Sequence, residues 1–311
     1  MDYIQEVSES DARTAYGVTR RVYEGRTTVG TEVLIADSPT YGRMLFLDGE
    51  LQSATADEHL YHEALIHPAM TAVVTDARRS DSSPLDVLVI GGGEGATVRE
   101  VLRWPQVGHV TWVDWDADLV SLCREHLRWA PNVYDDSRVR FHAADIRMAW
   151  PWMREYDLIV LDLPDPDGET EYLYSDVFWD DVFRHLRTGG RVVTHCGPVR
   201  PFGSVGEGFQ RIVAALPEER AFHFYHTLIP SFQGEWGFMM WGDWAKYGSA
   251  RSAIPAGLRV VDAEQLSQWR WLTRVWAAAV AVANDSSVSE EVAVRAAELK
   301  EEVEHRELDG Q

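Results

Sequence analysis

Apolar positions change their period along the chain, and each change marks an element. From Arg20 to Gln52 they fall in short runs of strand type, Thr31-Glu32-Val33-Leu34-Ile35 and Arg43-Met44-Leu45-Phe46-Leu47, split by the turn residues Asp37-Ser38-Pro39-Thr40-Tyr41-Gly42. Asp48-Gly49 is a hairpin signal with a short strand to Gln52 behind it, so this stretch predicts a small antiparallel sheet. Between Asp57 and Thr75, Leu60, Ala64, Ile66 and His67 recur at helical spacing behind acidic residues, which predicts a helix. The unbroken branched run Val87-Leu88-Val89-Ile90 then reads as a buried parallel strand. It runs into Gly91-Gly92-Gly93-Glu94-Gly95 and a helix from Thr97.

From there strands and helices alternate. Val110 to Asp116, Val139 to His142, Tyr156 to Asp162 and Arg191 to His195 read as strands. Leu119 to Trp129, Asp176 to Leu186 and Phe209 to Leu216 read as helices, with Gly189-Gly190 as a separator. Ala221 to Leu228 and Trp236 to Trp241 read as a closing antiparallel pair. Beyond about Asp262 the pattern is helical, and Val288 to Glu304 reads as an amphipathic helix for packing or for a partner. The expected class is α/β: a doubly wound, mostly parallel, Rossmann-like sheet preceded by a small antiparallel domain. The expected bounds are 1–56 for the N-terminal β-sheet domain and 57–311 for the Rossmann-like domain with its C-terminal helices.

Charge narrows the partners. Fifty Asp and Glu against 29 Lys and Arg give a formal charge of −21, which opposes nucleic acid and anionic membrane and favours cationic small molecules. Most of these acids serve as solvated surface charge. The two cysteines, Cys123 and Cys196, have no spaced partners, so neither a disulfide framework nor a thiolate metal site is indicated. The N-terminus carries no leader pattern and no stretch is apolar enough to span a bilayer, so a cytoplasmic location is expected.

The candidate chemistry sits at strand ends. A glycine turn at Gly91 and Gly93 lets backbone approach a ligand, and Glu94 inside it argues against pyrophosphate and for a cationic or hydroxyl-bearing ligand. About twenty residues on, Asp114 closes the next strand, where nucleotide-binding sheets place a carboxylate on ribose hydroxyls. Asp145, Asp162 and Asp165 also follow strand ends, so five acids dispersed in sequence can converge on one crevice. Duller readings exist: Asp162 and Asp165 as turn and cap residues, Tyr61 as helix packing, Trp236 as core. His59, His62 and His67 miss the His-Glu-x-x-His spacing that puts two ligands on one helical face, so no metal site is expected.

The glycine turn with its internal acid, and acids at the ends of later strands, suit S-adenosylmethionine or a relative. Further blocks make the pattern specific: Tyr41-Gly42-Arg43-Met44-Leu45-Phe46-Leu47-Asp48-Gly49, Gln52, Asp57-Glu58, Tyr61-His62-Glu63, His67-Pro68, Asp162 with Asp165-Pro166, and Trp236-Gly237-Phe238. In that order they resemble the spermidine synthase family of aminopropyltransferases over most of the chain from about Tyr41 to Met240. The resemblance implies an S-adenosylmethionine-transferase type of sheet. It implies transfer of a 3-aminopropyl group from decarboxylated S-adenosylmethionine, as co-substrate rather than prosthetic group, to a polyamine, with release of methylthioadenosine. It places Gln52, His62 and Glu94 at the donor's aminopropyl end, Asp114 on the ribose and Asp145 beside the adenine. Asp165 would be the base. Asp162 and Tyr61 would hold the acceptor, with Trp236, Phe232 and His195 lining its path. It also implies a homodimer or homotetramer.

This chain departs from the family at several positions. Glu94 stands where many members have Asp, Gly30 and His195 where Gln is common, Phe232 where Tyr is frequent, and Gly168-Glu169 where Gly-Pro is usual. These departures leave putrescine, agmatine and longer polyamines all open as acceptor. The same nucleoside acids also suit a methyltransferase or aminocarboxypropyl transferase using intact S-adenosylmethionine, or a non-catalytic binding relative.

Overall fold

The computed structural model describes residues 2–7, 13–76, 83–164, 168–199, 207–216, 222–245 and 247–269. Strands β1 (Asp2–Val7) and β2 (Arg13–Val18) pair antiparallel. A second antiparallel sheet runs in the order β3 (Arg20–Arg26), β4 (Glu32–Ser38), β5 (Gly42–Leu47), β6 (Glu50–Ala54). The turn joining β5 to β6 holds Asp48 at φ 49° and Gly49 at φ 88°. Two successive left-handed residues are what a hairpin turn matched to strand twist requires, and Asp-Gly tolerates them. The pair β1–β2 lies ahead of the strand pattern expected from Arg20 and was not anticipated.

After helix α1 (Glu58–Val74) come β7 (Leu85–Gly91), α2 (Ala96–Leu102), β8 (Val107–Asp114), α3 (Ala117–His126), β9 (Val139–Ala143), α4 (Ile146–Ala149) and β10 (Tyr156–Asp162). They are followed by α5 (Asp176–Arg184), β11 (Leu186–Val199), α6 (Glu207–Ala215), β12 (Phe222–Ile229), β13 (Gly234–Trp241) and α7 (Tyr247–Ala253). Seven strands form one sheet in the order β12-β13-β11-β10-β7-β8-β9. The five from β11 to β9 are parallel, while β13 runs antiparallel to both β11 and β12. The chain leaves β7 toward β8 and β9, then returns to β10 on its other side. That reversal opens a crevice at the carboxyl ends of β7 and β10, where such sheets bind ligands.

Alternation along each buried strand divides the core into two layers. Val87, Val89, Leu158 and Val160 face the layer that holds α1 and α2, and Leu88, Ile90, Ile159 and Leu161 face the layer that holds α5. Helix α1 is buried from Tyr61 through Val73, Pro68 included, which explains why its apolar residues are not confined to one stripe. The N-terminal sheet docks on α3 through Val33, Ile35 and Leu45 against Leu119, Cys123 and Leu127.

Three expectations about boundaries need correction. Helix α3 stops at His126 instead of reaching Trp129, because Arg128 takes a left-handed φ of 59°. Helix α5 stops at Arg184, and β11 already begins at Leu186, so Gly189-Gly190 lies inside the strand and not before it. Register against β10 jumps from Tyr156↔Leu186 to Leu158↔Arg191, and Gly189 at φ 81° sits in that bulge. The C-terminal helix expected from Val288 to Glu304 lies outside the described residues.

Candidate active site

The glycine turn is shaped by what crowds it. Gly91 pairs with Asp162 across the β7–β10 register, and a Cβ on Gly91 would stand 2.1 Å from the Asp162 carbonyl oxygen. On Gly92 it would stand 2.9 Å from Asp162 Oδ2, and on Gly93 it would stand 3.2 Å from Asp114 Oδ2. Any side chain at Gly91 would push the two strand ends apart. The turn therefore brings Glu94, Asp114 and Asp162 together from three separate elements.

Each of the three acids is held differently. Asp162 Oδ1 accepts from Tyr61 Oη at 2.7 Å, and Oδ2 accepts from Thr97 Oγ1, so α1 and α2 together fix its plane. Asp114 accepts from the Asp116 backbone N–H at 2.9 Å and is otherwise buried. Burial pushes its carboxyl up to about 7, and the neighbouring Asp116 and Asp162 charges add to the rise against that hydrogen bond. Glu94 is buried too. Burial drives its carboxyl upward, opposed by His62, whose Nε2 lies 2.7 Å from Glu94 Oε1.

The raised Asp114 leads to a prediction. Ribose hydroxyls donate best to an ionised carboxylate, so nucleoside affinity should climb with pH until Asp114 is deprotonated. Methylthioadenosine binding, followed by calorimetry, should weaken about tenfold for each pH unit below about 7. In Asp114→Asn the same profile should be weak and flat.

Asp145 does not join these three. It caps α4 by accepting from Arg147 N at 2.8 Å and pairs with the Arg147 guanidinium, which holds its carboxyl low. It remains near the crevice, because Ala144 N donates to the Asp114 carbonyl at 3.0 Å. Gln52 is also elsewhere engaged, its amide donating to Glu50 O at 3.4 Å within β6. Asp165 lies outside the described residues, although Tyr174 Oη fixes the chain just before it by donating to Pro164 O at 2.8 Å.

Beside Asp162 stands an aromatic group. The Tyr61 ring centroid is 5.8 Å from His195, 6.3 Å from Phe232 and 5.5 Å from Phe238. Trp236 stacks on His195 and lies 4.7 Å from Phe232. His195 Nε2 meets the Leu163 carbonyl, so Nε2 carries a hydrogen, and Nδ1 is buried without a partner. Phe232 is set by a short helical turn, Pro230–Phe232, pinned from two sides. Ser231 N donates to Asp57 Oδ2 at 2.6 Å, and Tyr16 Oη donates to Ser231 O at 2.9 Å.

Several residues of this site were missed by sequence reading. Asp116, two residues beyond Asp114, caps α3 and accepts from Thr27 Oγ1 at 2.8 Å and Thr31 Oγ1 at 2.9 Å. That clamps the β3–β4 turn over the Asp114 end of the crevice. Glu63, adjacent to His62, points away from the crevice and accepts from the backbone N–H groups of Arg259, Val260 and Val261. The three histidines of α1 serve separate networks: His59 meets Arg259, His62 meets Glu58 and Glu94, and His67 meets Glu100 and Trp104.

Comparison with known proteins decides the family. A model for the spermine/spermidine synthase domain matches residues 58–247, and one for the spermidine synthase tetramerisation domain matches residues 3–55. The chain belongs to the spermine/spermidine synthase family. It is 37% identical over 255 residues to polyamine aminopropyltransferase 2 of Pseudomonas aeruginosa, covering 78% of this chain and 68% of the relative. It is 39% identical over 233 residues to polyamine aminopropyltransferase 2 of Hyperthermus butylicus, covering 72% of each. A crystal structure of spermidine synthase in complex with the transition state analogue AdoDATO superposes with a TM-score of 0.76 at 21% identity, over 90% of this chain and 95% of that one. The spermidine synthase of Thermotoga maritima gives a TM-score of 0.73 at 21% identity, over 87% and 91%. The spermidine synthase fold is thus present from the first strand onward, and as a family member this chain is an aminopropyltransferase.

Proposed function

We propose that the crevice binds decarboxylated S-adenosylmethionine along the glycine turn and transfers its 3-aminopropyl group to a polyamine acceptor held against Asp162. The observation that carries this reading is the convergence of Glu94, Asp114 and Asp162 on one glycine turn, with Tyr61 locked to Asp162. Asp114 takes the ribose hydroxyls, and Asp145 lies toward the base. Glu94, with His62, takes the cationic aminopropyl end, and Gln52 joins them by exchanging its long bond to Glu50 O for the ligand. The acceptor lies between Tyr61, Phe232, Trp236 and His195, whose rings suit the methylene stem and charged nitrogens of a polyamine.

An alkyl ammonium has no lone pair, so the acceptor must lose a proton before it attacks. Asp165 takes that proton while Asp162 and Tyr61 hold the amine. The nitrogen then attacks the methylene carbon next to sulfur. The carbon–sulfur bond breaks with its electron pair going to sulfur, and neutral methylthioadenosine leaves. Because the sulfonium is already a good leaving group, orientation supplies most of the rate.

Mass detection of products with putrescine, agmatine, spermidine and spermine tests this directly. Methylthioadenosine should appear only when decarboxylated donor and amine are both present. Absence of product with every amine would overturn the reading. Intact S-adenosylmethionine should compete poorly, since its carboxylate would enter beside Glu94 and Asp162 while nearby Arg99 is already clamped between Glu58 and Glu100. Assembly as a dimer or tetramer belongs to the same proposal, supported by the match of residues 3–55 to a tetramerisation domain. So do a cytoplasmic location, supported by the absence of a membrane-spanning helix among the described residues, and the division at residue 56, supported by the change from β6 to α1.

A further inference from the structure

Behind Glu94 a line of charged groups runs away from the crevice through α1 and α2. His62 Nε2 is 2.7 Å from Glu94 Oε1, yet off the line of a formed hydrogen bond. His62 Nδ1 faces only acceptors, the Glu58 carbonyl at 2.6 Å and Glu58 Oε2 at 3.1 Å, so Nδ1 must carry a hydrogen. Glu58 cannot turn away, because Arg99 grips both its oxygens, Nη1 to Oε1 at 3.1 Å and Nη2 to Oε2 at 2.7 Å. Arg99 Nε in turn donates to Glu100 Oε1 at 2.8 Å. Glu100 Oε2 meets His67 Nε2 at 2.9 Å, and Trp104 Nε1, which can only donate, donates to His67 Nδ1 at 3.0 Å. His67 is therefore the neutral Nε2–H tautomer, and the line ends there without a mobile charge.

With Nδ1–H committed to Glu58, the contact between Nε2 and Glu94 has room for one proton and two places to put it. We propose that the Arg99–Glu58 pair is a positioning device that commits His62 Nδ1–H, so that His62 and Glu94 share one proton which is released when a cationic ligand settles against Glu94. The inference rests on the functional reading above, which brings such a cation to Glu94. Its physical basis is competition. A sulfonium or ammonium placed beside Glu94 raises the energy of the imidazolium next to it, and in a buried site that repulsion is little screened.

Other charges facing the pair favour the proton in the unliganded protein. Burial alone would lower His62, but Glu94 and Glu58 outweigh it and lift the imidazole to about 10. Asp162 from β10 adds negative charge on the Glu94 side, and Asp114 of β8 lies across the turn. Tyr61 on α1 stands edge-on to the His62 ring, Tyr134 reaches the Glu94 carbonyl, and Cys123 of α3 is pushed upward by burial and by Glu94. Burial holds both the Tyr134 hydroxyl and the Cys123 thiol in their neutral forms. Arg99 supplies the positive charge on the far side, and it is directed at Glu58 and Glu100.

The test is calorimetry of the full-length protein in buffers of different ionisation enthalpy, with two probes. At about pH 8.5 Asp114 is already ionised while the His62–Glu94 pair still holds its proton. Decarboxylated S-adenosylmethionine should release between about 0.5 and 1 proton there, whereas neutral methylthioadenosine should release about none. Release should fade above about pH 10, where the free pair has lost its proton. Binding with fewer than about 0.2 protons released would overturn this inference alone. Failure of the decarboxylated donor to bind while methylthioadenosine binds would overturn the functional reading and this one with it. Glu58→Gln removes the anion opposite Nδ1 and should move the release midpoint down by about one pH unit or more. A purely structural role would leave the midpoint where it was. Should Glu58→Gln fail to fold, Arg99→Lys keeps the charge without the fork and should lower the midpoint by about half a unit. An unmoved midpoint in the variant that folds overturns the positioning role.

Discussion

Asp165→Asn is expected to lower turnover by about 10²–10⁴-fold while leaving donor affinity nearly unchanged, the range a positioned general base supplies. Asparagine keeps the size and the hydrogen-bonding oxygen but cannot take a proton from an ammonium. Since the acceptor enters almost wholly protonated at pH 7, the step before attack fails, and it fails in kcat. Asp162→Asn is expected to behave differently. Both Asp162 oxygens accept from hydroxyls, Tyr61 on one side and Thr97 on the other. An amide can accept on one side only, so the plane of the side chain is lost along with its charge, and the amine's KM should rise as kcat falls. Steady-state kinetics with varied amine at saturating donor separate the two. Unchanged turnover in Asp165→Asn would remove that residue from the role of base.

Glu63→Leu is expected to destabilise the protein by about 3–5 kcal/mol, the largest effect on stability among the residues considered. The Glu63 carboxylate is 1% exposed and accepts from three consecutive backbone N–H groups, at 2.9 Å from Arg259, 2.9 Å from Val260 and 3.2 Å from Val261. Leucine would fit the apolar surroundings but leave those donors unpaired, that of Val261 buried and the other two partly so, at up to about 1–3 kcal/mol each before relaxation. Arg103 adds a second tie to the same segment by donating to the Gly257 carbonyl at 2.8 Å. Thermal unfolding should show a midpoint lowered by about 5–10 °C, with Glu63→Gln closer to the parent because one oxygen remains. If the midpoint of Glu63→Leu falls by less than about 1 °C, the clasp contributes little.

Much of this molecule was legible before folding. The run Val87 to Ile90, the glycines after it and the acid at Asp114 specify a strand, a turn and a strand end through short-range sterics and period alone, and the structure places each there. Asp48-Gly49 foretold its hairpin for the same local reason. The α/β order, the antiparallel closing pair and the convergence of Glu94, Asp114 and Asp162 followed from those elements, because parallel strands in register bring their carboxyl ends to one edge. Local pattern failed where a longer-range partner ruled. Gly189-Gly190 looked like a break but is absorbed as a bulge because β10 pairs with β11 on either side of it, at Leu186 and from Arg191 onward.

The sequence by itself determined the layered fold, the glycine turn and the residue types that can grip a cationic nucleoside, all properties of neighbours along the chain. Only the tertiary structure decided how those groups are charged and aimed. It locked Tyr61 to Asp162, turned Glu63 away to hold residues 259–261, and set Arg99 behind Glu58 to orient His62. Residues 101 and 196 positions apart in sequence meet in two of these contacts. Burial and opposing charge at such meetings set ionisation, and neither exists until the layers close.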